Sequence, residues 1–517
     1  MKLNIKRTIM VGFAFFLISA FWQAYDSTIP VMLTNKFGMS QAWSGVIMAA
    51  DNILAVFLLP LFGLLSDRHN SKRGKRTPFI FWGTLIAALA LIGLSFVDGA
   101  QLRNISNVSA IDDPAALEIV YNSQANVQLL TPDGEKFILS EIFTKEEFVA
   151  IQSQVIDAET GKEVTSSAYT NYVAPARQAY AWQRTMDNPT PLLVFIGLLL
   201  ILLVAMATFR SPAVALMPDV TIKPLRSKAN AVINLMGSAG GILVLVLGMV
   251  FATSALHNAM MRYTVFYGVV AAIMLGALAV FMLTVREKAW AEQMRAVSIQ
   301  YGIEEGTDDN SEKRRLTAGE KRSLIFILLS IGLWYFGYNA VTSKYSVYAG
   351  NILHKDYNTT MLLAQAAAII AYLPAGMVAS KIGRKKSIIA GVVMLTAAFA
   401  AAAFMRSGSP TWMMNMMFAL AGIGWATINV NSFPMVVEMC SGADVGKYTG
   451  FYYTASMSAQ IVTPMLSGLL MDYMGMTVLF PYAAVFVALA LITMAFVKHG
   501  DTKIEAKKGL EAFCVDD

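Results

Sequence analysis

Apolar runs of about 20 residues recur along almost the whole chain, and "PLLVFIGLLLILLVAMATF" (191–209) is the purest of them. At about 1.5 Å per residue, a helix of that length crosses a hydrocarbon core of roughly 30 Å. Twelve spans are expected, near 9–34, 42–66, 77–97, 190–218, 227–252, 262–285, 322–348, 360–380, 386–405, 411–437, 447–471 and 476–497. The composition agrees: 56% of the 517 residues are hydrophobic and 14% are charged, against about 25% charge in soluble domains. An all-α membrane protein follows.

Lys and Arg gather in Lys2/Lys6/Arg7, "SDRHNSKRGKR" (66–76), "TIKPLRSK" (221–228) and "SKIGRKK" (380–386), all on one side if twelve helices are counted. By the positive-inside rule that side, with both termini, is expected to be cytoplasmic, in a multi-pass protein of the cell membrane. The net charge of +6 then reads as topology, with lipid headgroups as neighbours and no nucleic acid. Lys2, Lys6 and Arg7 resemble the start of a signal peptide. The apolar stretch is too long and lacks a small-x-small site, so the first helix is expected to be retained. Cys440 and Cys514 offer neither a disulfide framework nor a metal site. The four histidines form no HExxH pattern, and "GIGWAT" lacks the third glycine of a dinucleotide fingerprint. No enzyme, no metal and no cofactor is expected.

The chain repeats itself. At an offset of 313 residues Phe21 meets Trp334, Trp22 meets Tyr335, Tyr25 meets Tyr338 and Asp26 meets Asn339. Asn52 then meets Gln365, Gly63 meets Gly376 and Asp67 meets Ser380. Farther on the offset is 219, pairing Arg210 with Asn429, Asp219 with Glu438 and Lys228 with Lys447. The two offsets differ by 94, which places an insertion of that size in the first half. The expected organisation is an N-terminal six-helix half (1–97 and 189–285), an extracytoplasmic insertion (98–188), a charged cytoplasmic linker (286–321), a C-terminal half (322–497) and a cytoplasmic tail (498–517). The insertion holds thirteen acidic and six basic residues. "VQLLTPDGEKFIL" signals a hairpin and "TKEEFVAIQSQV" a capping box, so a small folded unit is expected. It is either a lid that gates the entrance or an inert or partner-docking surface.

"GLLSDRHNSKRGKR" (63–76) and "GMVASKIGRKK" (376–386) resemble the cytoplasmic loop signature Gly-x-x-x-Asp-Arg...Gly-Arg-Arg of the major facilitator superfamily, at both places where that family repeats it. Ser380 stands where the second copy would carry its acid. "SDRHNSKRGKRTPFI" and "FRSPAVALMPD...RSKANAVINLMGSAGG" further resemble the sucrose and glycoside:cation symporters. The resemblance implies the twelve-helix, two-half fold, alternating access, a small sugar or glycoside as cargo and a coupling ion, H⁺ or Na⁺. It also implies a cytoplasmic gate at Gly63, Asp67, Arg68, Arg76, Asp219, Arg226, Gly376, Arg384 and Glu438. Physically, Asp67 can pair with a basic neighbour, and Arg68 and Arg76 can bridge to Asp219. The alternative is that these cations only enforce topology.

A mid-membrane Asp costs about 2.5–3.5 kcal/mol to insert, so it usually faces a cavity. Asp26 shares one helical face with Ser19, Trp22, Gln23 and Pro30. With Asp51 and Arg210 it gives the first half two carboxylates and one guanidinium, whose counterparts in the repeat are neutral: Asn339, Ala364 and Asn429. Ion coupling is therefore assigned to Asp26, Asp51 and Arg210, as groups that bind H⁺ or sit in a Na⁺ cage. Amides beside aromatic rings suit a sugar, whose hydroxyls need donors and acceptors and whose C–H faces stack on rings. The candidate contacts are Trp22, Gln23, Asn234, Trp334, Tyr335, Tyr338, Asn339, Gln365, Tyr372, Trp425, Asn429, Tyr452 and Gln460. Helix packing or the interfacial belt is the competing account of the aromatics, and a structural ion pair that of the charges. The reading is a monomeric cation-coupled sugar symporter. A proton-driven exporter is the first alternative, but "GSAGGILVLVLG" on helix 5 has no Pro where exporters of the family commonly carry Gly-x-x-x-Gly-Pro. A non-transporting receptor that uses the insertion is the second.

Overall fold

The computed structural model describes residues 3–156, 163–222, 225–300, 316–437, 439 and 445–499. Six long helices form the first half: α1 (Ile5–Asn35), α2 (Gln41–Arg68), α3 (Thr77–Asn104), α4 (Thr190–Val220), α5 (Arg226–Val250) and α6 (Thr264–Thr284). Six more form the second: α7 (Ala318–Tyr348), α8 (Tyr357–Ile382), α9 (Arg384–Ala402), α10 (Thr411–Val437), α11 (Val445–Met474) and α12 (Leu479–Ala495). Each half closes around its own apolar core. The insertion lies at one end of the bundle, the insertion face, and the linker at the other, the termini face.

Among the described residues, ten helices are long and apolar enough to cross a membrane by composition alone. Of the other two, α8 and α11, the second is diluted by Gln460 and Asp472. Both line the seam between the halves, where α5 packs on α8 and α2 on α11. Glycine lets the second seam close: a Cβ at Gly45 would lie 2.0 Å from the Pro464 carbonyl oxygen, and one at Gly468 would lie 2.2 Å from that of Gln41. At the other seam Ser254 Oγ donates to Asp356 at 2.6 Å, and the Thr253 and Tyr357 hydroxyls meet at 2.8 Å. Burial opposes ionisation of Asp356, yet hydrogen bonds from Ser254, Thr359 and Asn358 hold it below its ordinary value. The hydrogen bonds between the halves run from Gln23–Gln365, mid-bundle, out to the insertion face.

One boundary differs from expectation. Asp98 suggests that the third helix ends near 97, but α3 continues to Asn104. The carboxylate is fully buried and paired: Lys36 Nζ donates to its two oxygens at 2.6 and 2.7 Å and to Met261 O at 2.7 Å. A charge that is neutralised inside the protein does not have to leave the helix, so the insertion grows directly out of α3. It has its own core, with Leu117, Phe137, Phe148 and Tyr169. Strand β1 (Gln128–Leu130) pairs antiparallel with β2 (Lys136–Ile138), and β3 (Gln154–Ile156) with β4 (Glu163–Thr165). Thr144 and Glu147 form a capping box. Arg177 holds the unit together by donating to the carbonyls of Val108, Ala110 and Ile111. Burial lowers its guanidinium from the ordinary value, against the opposing pull of Tyr169, Asp112 and Asp113.

On the termini face the linker opens with a helix, Glu287–Gln300, whose first residue is a strut. The Glu287 carboxylate accepts from Lys75 N (2.6 Å), Arg76 N (2.8 Å), Thr77 N (2.8 Å) and Thr77 Oγ1 (2.7 Å). It thereby satisfies orphan N–H groups at the positive end of α3. Only 3% exposed, it has no water to replace those bonds. Hydrogen bonds to charged groups contribute about 1.5–3 kcal/mol each, so Glu287→Ala is expected to destabilise by at least about 2 kcal/mol, and Glu287→Gln by less. Thermal unfolding in detergent checks this, and an unchanged melting temperature in the alanine variant would refute it.

Candidate functional site

A cavity of about 210 Å³ lies between the halves, lined by Trp22, Asp26, Met48, Asp51, Asn52, Arg210, Asn339, Thr342, Ser343, Gln460 and Pro464. Helical spacing brings them there. Trp22 and Asp26 are i, i+4 on α1; Met48, Asp51 and Asn52 are i, i+3, i+4 on α2; Asn339, Thr342 and Ser343 repeat that spacing on α7. The volume is below the roughly 300–1,000 Å³ of drug-sized sites, which suits a small cargo. A cavity of similar size, about 220 Å³, lies where α1 meets the linker helix at Arg7 and Trp290. It has no carboxylate in its wall.

The three charged groups assigned to ion coupling all line the central cavity, each only partly exposed. Asp51 accepts from Asn52 Nδ2 at 2.8 Å. The Arg210 guanidinium carbon lies 5.6 Å from the Trp22 ring centre, within Coulomb reach of both Asp51 and Asp26. Among the described residues no direct ion pair joins Arg210 to either carboxylate. The charges face one another across a space large enough to admit another group.

The second half supplies neutral groups. Beside the cavity's Asn339, Thr342, Ser343 and Gln460, the Tyr338 and Trp425 rings stack at 3.5 Å between centres and 3° between planes. Tyr335 meets Trp425 edge-on at 5.2 Å. Tyr372 hydrogen-bonds Asn429, and Tyr452 meets the Ser432 hydroxyl at 3.2 Å and also bonds Tyr335. Tyr335, Tyr338, Tyr372, Trp425, Asn429 and Tyr452 thus neighbour one another in an aromatic cluster, and none of them lines the central cavity. Gln23 lies off the cavity and accepts from Gln365 Nε2 at 2.5 Å across the seam. Trp334 is fully buried in the core of the second half. Five residues from Asn339, it is turned roughly 140° away at 100° per residue, so it does not line the cavity. Asn234 is exposed on α5, where it bonds Asn230 at 3.3 Å, and does not line the cavity. Met48, Asn52, Thr342, Ser343 and Pro464 were not among the expected contacts. Their spacing from Asp51, Asn339 and Gln460 was the available signal.

The loop signature forms a compact network. Arg76, 6% exposed at its side chain, donates from Nε to Asp219 at 2.8 Å, from Nη2 to Asp67 and from Nη1 to Ser66 Oγ at 2.5 Å. At Gly63 a Cβ would lie 2.9 Å from Ser211 Oγ, so its absence keeps α2 close to α4. Arg226 closes the end of α4, donating to Thr221 O at 3.1 Å and Pro218 O at 3.0 Å. Arg68 is exposed, makes no bridge to Asp219 and leaves that role to Arg76, which the α3 terminus aims inward. Gly376 lies within α8, and Arg384 is buried at the start of α9. Glu438 lies outside the described residues.

Residues 327–513 match a family profile described as Major Facilitator Superfamily, and residues 10–100 match one described as MFS/sugar transport protein. An MFS-type transporter of Metarhizium rileyi (strain RCEF 4871), ppzB, is 26% identical over 152 residues, 29% of this chain and 31% of its own. An Escherichia coli (strain K12) protein named as a glycoside/cation symporter, YagG, is 33% identical over 64 residues, 12% and 14% of the two chains. The general alpha-glucoside permease of Schizosaccharomyces pombe (strain 972 / ATCC 24843) is 30% identical over 72 residues, 14% and 13%. Each alignment spans less than a third of the relative's length. Among solved structures, the inward open xylose transporter XylE from E. coli superposes with a TM-score of 0.56 at 14% identity, over 97% of this chain and 98% of its own. A bacterial homologue of the iron transporter ferroportin, inward-facing, gives 0.55 at 11% identity over 96% and 100%. At such identities the likeness is one of fold. A xylose transporter and a homologue of an iron transporter share it, so the fold does not select a cargo.

Proposed function

Because the chain belongs to the major facilitator superfamily, we propose that it is a secondary active symporter that moves a small sugar or glycoside with a cation, H⁺ in the first instance and Na⁺ in the second, by alternating access. The observation that carries this reading is the charge balance of the central cavity. Two carboxylates face one guanidinium there, so with all three ionised the site holds one uncompensated negative charge. A bound cation neutralises it, and a neutral site is the cheapest to carry past an apolar midplane. The opposite wall offers amides and hydroxyls without charge, which supports a polyhydroxylated neutral cargo. The names of two relatives, a glycoside/cation symporter and an alpha-glucoside permease, support the same class.

The basic loops support a termini face that looks toward the cytoplasm in the cell membrane, and a cavity built within one chain supports a monomer. Closure at the insertion face keeps the cavity from that side. Opening there means parting α2 from α11 and α5 from α8, while the Arg76 network on the other face keeps α2, α3 and α4 moving as a block. Counterflow tests the proposal: proteoliposomes loaded with one unlabelled glycoside from a panel are expected to accumulate the labelled form transiently, without an imposed gradient. An absence of counterflow across mono- and disaccharide glycosides would overturn it.

A further inference from the structure

We infer that Lys344 and Asp472 are positioning residues of the transport cycle: with the insertion's hairpin they latch the gate on the insertion face, and they trade their cross-half partners for each other when it opens. The inference rests on the alternating-access reading, but its labelling test uses neither cargo nor ion. Both residues belong to the second half, and both serve the first. The Asp472 carboxylate accepts from Gln41 N at 2.8 Å and Ala42 N at 2.7 Å, two of the orphan N–H groups at the positive end of α2. Lys344, fully buried on α7, donates to Gln41 O at 2.5 Å. Withdrawal of α2 would strip the ammonium of that acceptor and the carboxylate of those donors. A buried charge left alone is strongly unfavourable, and the two lie within Coulomb reach of each other. Each therefore has a second partner in the opened state, as a two-position element requires.

The hairpin adds a tie beside them. Through α3 the insertion is continuous with the first half, and Gln178 Nε2 fastens it to Met39 O at 2.9 Å. Its tip reaches across to the turn between α11 and α12, where Met476 N donates to Pro132 O at 2.6 Å. Gly134 (φ +91°) and Gly475 (φ +88°) face each other there, and a Cβ on Gly134 would lie 2.7 Å from Met474 O. A cavity of about 520 Å³ under the insertion reaches Gln41, Trp43 and Asp472, so the latch lies in the passage that opening has to clear.

The test is labelling of Ser343→Cys, on the cavity wall, by a membrane-impermeant maleimide in a Cys440→Ser/Cys514→Ser background, using vesicles of both orientations. Asp472→Asn and Lys344→Met are each expected to raise labelling from the insertion face and lower it from the termini face, by about threefold or more. Change in the same direction on both faces, or no change, would show a merely structural role and overturn the inference. A second pair, Pro132→Cys/Met476→Cys without Ser343→Cys, addresses the hairpin without touching the charges. Its oxidation is expected to stop counterflow of the transported glycoside and its reduction to restore it. Unchanged counterflow in cross-linked protein, or failure to cross-link, would overturn the latch. Loss of the proposed cargo class would leave the maleimide result intact, so the two failures are distinguishable.

Discussion

Asp26→Asn is expected to abolish ion-driven accumulation of cargo and to leave counterflow in place. Each unit charge moving down 100 mV supplies about 2.3 kcal/mol, enough to concentrate a neutral cargo about 50-fold. The variant is expected to lose that factor, because its cavity is already neutral with Arg210 opposed only by Asp51, and a cation gains nothing by entering. Asp26 is expected to dominate over Asp51, which already accepts a hydrogen bond from Asn52 at 2.8 Å, whereas Asp26 accepts none from a side chain among the described residues. Accumulation of a labelled glycoside in proteoliposomes under an imposed proton gradient measures the effect. Undiminished accumulation would remove Asp26 from the coupling. Loss of counterflow as well would make it a cargo contact.

Lys36→Met is expected to destabilise the protein by about 3–5 kcal/mol, the usual penalty for leaving half of a buried ion pair. Both side chains are fully buried, and Lys36 also lies 4.5 Å from the centre of the Tyr263 ring, so neither solvent nor a mobile loop can replace the lost partner. The double change Lys36→Met/Asp98→Leu is expected to recover most of the loss, since apolar side chains of similar size often stand in for a buried pair. Thermal unfolding of the two variants separates the terms. If the double variant were as unstable as the single one, packing and not the stranded carboxylate would be responsible.

The contrast between Asp26 and Asp98 explains how far this chain could be read from its residues. Both are acids near an apolar run, but the partner of Asp98 is Lys36, 62 positions away, and no local pattern ties them together. The helix end therefore looked seven residues too early. The carboxylates and Arg210 stood out because charge is rare in lipid, and the repeat showed which half carried it. Met48, Thr342 and Ser343 line the same cavity but are ordinary in any membrane helix. The reverse holds for Trp334, which is conspicuous in sequence but turned into the core by a rotation that only an exact helical phase reveals. In the loop signature Arg76, Asp67 and Asp219 were legible as charges, whereas Glu287 lay in a linker that reads as solvated until its partners are seen.

The uninterrupted run of α3 from Thr77 to Asn104 has mechanical meaning. A helix of 28 residues is a rod of about 42 Å, stiff enough for the insertion to act as its handle. Any rotation of the first half sweeps that handle across the surface of the second, which converts a rearrangement hidden in the bilayer into a displacement in water. A binding protein that grips the insertion and the turn at Gly475 together would act as a brake on the cycle without reaching the cavity.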